Sequence, residues 1–349
     1  MPQKAKFIEE LYILTGAEQT WPLRLAPYRQ SNNWRATFEI AVTALPFIIF
    51  WLAMWALLQV SMMLALLAAI PAAGLMVRLF MIQHDCGHGA LFSSRRANDW
   101  IGRVIGVLTL TPYDYWRHSH ALHHAGSGNL DRRGMGDIDT LTIREYLALG
   151  TLGRLRYRLY RHPVVMFGLG PAYLFFFRHR LPFGAMTLGR MPWLSTLLTN
   201  LGIAAVSALL IYGVGLAAFL LIQIPIVMIG ASIGVWLFYV QHQFEKTYWE
   251  HNPEWVHQVA ALHGSSYYDL PRPLMWITGN IGIHHLHHLS SRIPFYRLPQ
   301  VVSDYPELKQ IGRLTLWQSI KCVRLTLWDE DTKQLVSFRE ARRKVSALA

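Results

Sequence analysis

The run IAVTALPFIIFWLAMWALLQVSMMLALLAAIPAAGLMV, residues 40–77, lies between Glu39 and Arg78 and contains no aspartate, glutamate, lysine or arginine. As one straight helix it would measure about twice the roughly 30 Å hydrocarbon core of a bilayer, so it must fold back on itself. Gln59 and Ser61 mark the turn. A second charge-free run covers residues 191–244 and is broken at Tyr212-Gly213-Val214-Gly215, which predicts another hairpin of two spans. Of the 349 residues, 52% are hydrophobic and 15% charged, and the mean hydropathy is +0.22, a balance that excludes a purely soluble domain. The expected fold is an all-α membrane protein with four transmembrane helices as two hairpins and a cytoplasmic helical cap. It is one domain: an amino-terminal segment (1–38), the first hairpin (39–82), a cytoplasmic and interfacial stretch (83–192), the second hairpin (193–241) and a cytoplasmic tail (242–349).

The charges lie outside the apolar runs. Thirty-three basic against 21 acidic residues give a net +12, and because these charges flank the spans, a membrane surface explains the excess better than nucleic acid. Lys4, Lys6, Arg24, Arg29 and Arg35 precede the first hairpin, arginine crowds residues 95–190, and more basic residues follow from Lys246. The positive-inside rule places all three segments in the cytoplasm, and with them both termini of a multi-pass membrane protein. Residues 163–177 are apolar but too short to cross and contain Gly168, Gly170 and Pro171, so they are read as a helix lying in the interface. The amino terminus lacks a signal-peptide pattern, and the first hairpin is expected to direct insertion. Arg313-Leu-Thr-Leu-Trp317 recurs eleven residues later as Arg324-Leu-Thr-Leu-Trp328, which predicts two copies on one helical face with a packing role.

Two cysteines, Cys86 and Cys322, exclude a disulfide framework, a four-cysteine zinc site and an iron–sulfur cluster held by this chain alone. Sixteen histidines, about double the usual share, point to imidazole as the metal ligand. Leu79-Phe-Met-Ile-Gln-His84 and Leu237-Phe-Tyr-Val-Gln-His242 close the second and fourth spans with one signature. Each is followed by an H-x-x-H-H cluster: His120, His123 and His124 after the first, and His284, His287 and His288 after the second. Residues three and four apart share a helix face, so His84 with His88, and each triplet, can aim at one centre. Nine imidazoles exceed what one four-coordinate zinc uses and suit two ions of higher coordination number, while imidazole alone does not choose between iron, zinc, copper and nickel. His118, His162, His179, His251, His257 and His263 are expected to be solvated or hydrogen-bonded at the surface. His285 is left out because Ala121 holds the matching place in the other cluster. Cys86 is read as packing. Asp85, Asp137 and Asp139 are candidates to orient ligand rings, and Asn280 to hold a metal-bound water.

The clusters, with His84-Asp-Cys-Gly-His88-Gly, Pro112-Tyr-x-x-Trp116-Arg, Gly-Asn129-Leu and Gly279-Asn-Ile-Gly-x-His284-His, resemble the integral-membrane fatty acid desaturases over roughly residues 83–299. The first box, with three intervening residues, is similar to the bacterial and cyanobacterial delta-12 (omega-6) type. The resemblance implies a di-iron centre (Fe2+/Fe3+) held by His84, His88, His120, His123, His124, His242, His284, His287 and His288. It also implies O2-dependent removal of two hydrogens from neighbouring methylenes of a long fatty acyl chain, leaving a cis double bond. Such chemistry needs a dry, shaped cavity, for which aromatic segments such as residues 113–116 are suitable lining. No His-Pro-Gly-Gly segment, no G-x-G-x-x-G loop and too few cysteines are present for storing electrons, so an external donor is required, and the basic surface suits an acidic ferredoxin. Hydroxylation or ketolation at the same type of centre is the nearest alternative. An intramembrane zinc protease using Asp85 as base leaves the other two clusters unexplained, and a metal transporter would place its ligands mid-membrane within the spans, whereas these histidines lie at or beyond the span ends.

Overall fold

The computed structural model describes residues 21–134 and 136–348; Lys4 and Lys6 lie outside them. Helix α1 (Asn33–Leu58) begins where the Asn32 side chain accepts from the Arg35 amide. A turn of three residues leads into α2 (Met62–His88), which stops at Gly89, whose φ of 65° is the left-handed closure glycine tolerates. The shorter helices α3 (Arg95–Leu108), α4 (Tyr113–Gly126), α5 (Thr151–Tyr160) and α6 (Gly170–Phe176) follow. Then come α7 (Arg190–Val214) and α8 (Leu216–His242), joined by Gly215 alone at φ 85°. Four helices among the described residues, α1, α2, α7 and α8, are long and apolar enough to cross a membrane.

Length carries function in α2 and α8. Each has 27 residues. At 1.5 Å per residue that is about 40 Å, some two turns beyond the hydrocarbon core. Those last turns bear His84, His88 and His242. Helix α2 is the hub, packed against α1 and α8 through Ala69, Ala72, Met76, Ile222 and Ile226. Gly230 lets the helices approach, since a Cβ there would lie 2.4 Å from Met76 Cε. Helix α7 is outermost, with Leu197, Leu198 and Leu209 more than half exposed. Glu39 and Arg78, the charges that bound the first run, are both buried and paired. Arg78 also donates to Thr43 Oγ1 at 3.2 Å and to the Trp276 carbonyl, which satisfies a charge that would otherwise destabilise the interior.

The remaining chain forms a cap over one end of the spans. It is not purely helical. Strands β1 (Leu141–Thr142), β2 (Tyr267–Asp269), β3 (Arg313–Thr315), β4 (Leu327–Asp329) and β5 (Gln334–Val336) form a sheet of order β1-β4-β5 and a parallel pair β2-β3. This corrects the reading of the eleven-residue repeat as one helical face. The first copy supplies β3 and then a helix started by the Thr315–Gln318 capping box; the second runs into β4. Trp317 is 77% exposed and Trp328 1%. Alternating Leu-Thr-Leu suits a pleated strand, and each copy joins a different sheet.

Residues 163–177 form a short helix, within which Gly170 donates to the Val165 carbonyl five residues back, ahead of Pro171, which has no amide proton. His179 is a second correction. Instead of being solvated it packs on the Phe175 ring with Nδ1 buried, and burial pulls its pKa down to about 3. His118, His162, His251 and His257 are exposed, His251 pairing with Asp131 at 2.7 Å; His263 is half-buried.

Candidate metal centre

The end of α2 carries His84 and His88, α4 carries His120, His123 and His124, α8 ends in His242, and α9 (His284–Leu289) carries His284, His287 and His288. These nine form two groups. His84, His88, His120, His124 and His287 make one; His123, His242, His284 and His288 make the other, and within each the facing ring nitrogens all lie within 4.8 Å of one another. The contacts run between Nε2 atoms. His120 lies 3.0 Å from His84 and 3.1 Å from both His88 and His124, and His287 lies 3.1 Å from His124. In the second group His242 is 3.2 Å from His123 and 3.0 Å from His284, with His288 a further 3.1 Å from His284. Nitrogens about 2.1 Å from one ion and at right angles around it sit about 3.0 Å apart, so these spacings are those of adjacent corners in a coordination shell.

Protonation decides whether such contacts are hydrogen bonds or ligand edges. His123 Nδ1 faces Asp137 Oδ1 at 2.5 Å and His242 Nδ1 faces the Gly264 carbonyl at 3.3 Å, so each ring keeps its proton on Nδ1. Their Nε2 lone pairs then face each other across 3.2 Å in a buried space. A cation between them removes that repulsion, and the donor set fits a metal. Burial and the neighbouring rings hold His120, His124, His284, His287 and His288 well below the ordinary imidazole range, which leaves them neutral and able to donate.

The two groups interleave. His123 leaves the second box for the group built mainly from the third, and His287 makes the reverse exchange. His124 and His288 stack where the groups meet, centroids 4.1 Å apart and planes at 11°. The halves also differ: the place of His88 in the L-F-x-x-Q-H frame is taken by exposed Lys246 in the second half, which leaves five histidines in one group and four in the other.

Of the residues expected to orient rings, Asp137 touches His123 directly. Gly136 makes this possible, at φ 79° with a would-be Cβ only 3.1 Å from the Ser119 carbonyl and 3.3 Å from His123 Cβ. Asp85 lies 3.5 Å from His84 Nδ1 and spends its other oxygen on the Phe295 amide at 2.6 Å. The Asn280 side chain donates to the Phe295 carbonyl at 3.1 Å. Its φ is 54°, and with Asp85 it holds both backbone groups of Phe295, the amide on Asp85 and the carbonyl on Asn280. Asp139 is a further correction, an exposed side chain in a loop held through its backbone by Tyr160 and Arg161. His285 is fully buried and turns away from both groups to the Leu308 carbonyl at 3.0 Å, and Cys86 is part of the core. Sequence reading missed the Gly264 carbonyl, which no side chain announces. It also missed the role of Trp116, whose ring stacks on His120 at 4.6 Å and 15°; its place one helical turn before His120 was the available signal.

Four candidate spans, two of which carry histidines at their ends into two groups completed by the cap, define the class: a membrane protein with a polyhistidine centre able to hold metal. Residues 60–317 match the family model described as "Fatty acid desaturase". A "Fatty acid desaturase" of Bacillus subtilis is 45% identical over 316 residues, covering 90% of this chain and 89% of the relative. More distant relatives include an "sn-1 oleoyl-lipid 12-desaturase" of Anabaena variabilis, 23% identical over 72% of each chain, and an "sn-1 acyl-lipid omega-3 desaturase (ferredoxin)" of Nostoc, 28% identical over 63% of this chain and 61% of its own. The chain belongs to the fatty acid desaturase family and is an enzyme of that class. The protease reading fails locally as well, because Asp85 is held by a backbone amide.

Proposed function

We propose that this protein inserts a cis double bond into a long fatty acyl chain using O2, at two iron ions held by the nine clustered histidines. The observation that carries the reading is the facing pair of Nε2 atoms on His123 and His242, a contact that a shared metal ion would satisfy. Bound iron would supply the oxidising power that takes two hydrogens from neighbouring methylenes; two electrons and two protons from outside complete the reduction of O2 to water. The protein's own part is to fix geometry and exclude water. Asp137 and Gly264 set the tautomers, Trp116 and Phe238 pack against His120 and His123, and Asp85 with Asn280 pins the turn after α9.

The centre faces the cytoplasm in this reading, on the arginine-rich side, and a ferredoxin is the donor, as in the name of the Nostoc relative. The delta-12 position carried by the motifs agrees with the Anabaena relative's name, while the 45% relative's name gives no position. Expression in a bacterial host with ferredoxin and its reductase tests all of this. Gas chromatography of the lipids is expected to show a new cis double bond, placed by the mass spectrum of its dimethyl disulfide adduct, and the purified protein about two irons per chain. Hydroxylated or ketonic chains would establish the oxygenating alternative instead.

A further inference from the structure

Away from the histidines, a groove of about 190 Å³ opens where the cap meets α7, lined by Arg180, Leu181, Pro182, Trp193, Leu194, Thr196, Leu197 and Asn200. Its walls are apolar and its one charge is peculiar. Arg180 has no carboxylate partner among the described residues. Its guanidinium donates to Asn200 Oδ1 at 2.9 Å and to the Leu110 carbonyl, while Nε is buried without an acceptor. Burial lowers its pKa to about 10, so it keeps its charge at neutral pH. Arg178 and Arg190 are exposed nearby, and Trp193, Leu194 and Leu197 lie half open on the outward face of a membrane-spanning helix. A cation without a counter-ion, beside an apolar trough continuous with the lipid-facing surface, matches one ligand chemistry: an anionic headgroup joined to an acyl chain. Tyr115, the neighbour of Trp116, takes its amide to Ser195 Oγ at 3.1 Å and its hydroxyl to the Phe183 carbonyl at 2.5 Å, which ties the groove's wall to the helix bearing His120.

We propose that this groove seats an anionic glycerophospholipid, its phosphate on Arg180 and the start of an acyl chain along Trp193, Leu194 and Leu197. The assignment deepens the desaturase reading by naming a membrane lipid as the acyl carrier delivered at this face, but the binding itself does not depend on that reading. Iron-loaded protein in nanodiscs of equal phosphatidylglycerol and phosphatidylcholine is extracted into detergent, and its retained lipid is counted by native mass spectrometry. Wild type is expected to retain phosphatidylglycerol over phosphatidylcholine, and Arg180→Gln to lower that preference about fivefold, as loss of one basic contact implies. Leu197→Trp, which fills the trough and leaves the charge, should lose lipid of both kinds, and Arg178→Gln should resemble wild type. Iron content reports that each variant is folded. Equal retention by wild type, Arg180→Gln and Leu197→Trp overturns the proposal, as does displacement of the lipid by millimolar inorganic phosphate, which would make this a simple anion site. Lipid retention without any desaturated product would sink the desaturase reading and leave the groove standing.

Discussion

At the scale of single residues, the centre depends on groups that never touch a metal. Asp137 fixes the His123 tautomer. Asp137→Ala is expected to weaken iron binding by about 10- to 100-fold, with the fold intact, because it frees the ring to protonate on the wrong nitrogen; iron retained against a graded chelator is the measurement. His179 makes a prediction of its own. Its pKa in the folded protein, about 3, lies below the 6.5 of the unfolded chain. Between those values the unfolded chain binds a proton that the native one refuses, so stability falls as pH drops below about 6.5, by at most about 1.4 kcal/mol per pH unit. The difference in unfolding midpoint between wild type and His179→Phe, measured in detergent at pH 7.5 and pH 5, should move against wild type on acidification. A constant difference would mean that the ring is protonated or solvated in the native state.

At the scale of elements, the exchange of His123 and His287 between groups dissociates sequence boxes from ion sites. His287→Ala, though in the third box, should deplete the group anchored on α2. His123→Ala should deplete the group anchored on α8 and abolish product. Each variant is expected to bind about one iron, and Mössbauer spectra should show different survivors; the same survivor in both would refute the interleaving. The hairpins, their turns at Gln59–Ser61 and Gly215, and all nine clustered histidines were legible, because a bilayer enforces long charge-free runs and helical spacing is stamped on the boxes. The exchange was not, because i, i+3 and i, i+4 neighbours share a face and only tertiary packing decides which ring turns to which centre. The spacing of Asn280, one turn before His284, suggests a shared helix that the fold does not build. The chain there instead adopts φ 54°, and α9 starts at His284. The strands hidden in the eleven-residue repeat were missed for a related reason: three-residue strands carry too little periodicity to be told from helix.

At the scale of the whole molecule, one arginine-bearing surface lies where α5 packs against α10 (Phe338–Leu348) through Tyr157, Phe338 and Ala341. Arg154 and Arg158 are engaged with the Leu149 carbonyl and the Tyr146 hydroxyl, whereas Arg156, Arg339, Arg342 and Arg343 are exposed. If an acidic ferredoxin docks there, reversing Arg156, Arg339 and Arg342 to glutamate should slow reduction of the iron at low ionic strength by tenfold or more and flatten its salt dependence. An unchanged rate in stopped-flow would place the donor elsewhere. The interleaved boxes also bear on how the protein is made. A ribosome that has released the first 250 residues has produced every span and six of the nine ligands, yet both ion sites still await rings from residues 284–288. Neither histidine group is complete until those residues emerge, so any metal the centre takes up is expected to find its full set of ligands only late in biogenesis.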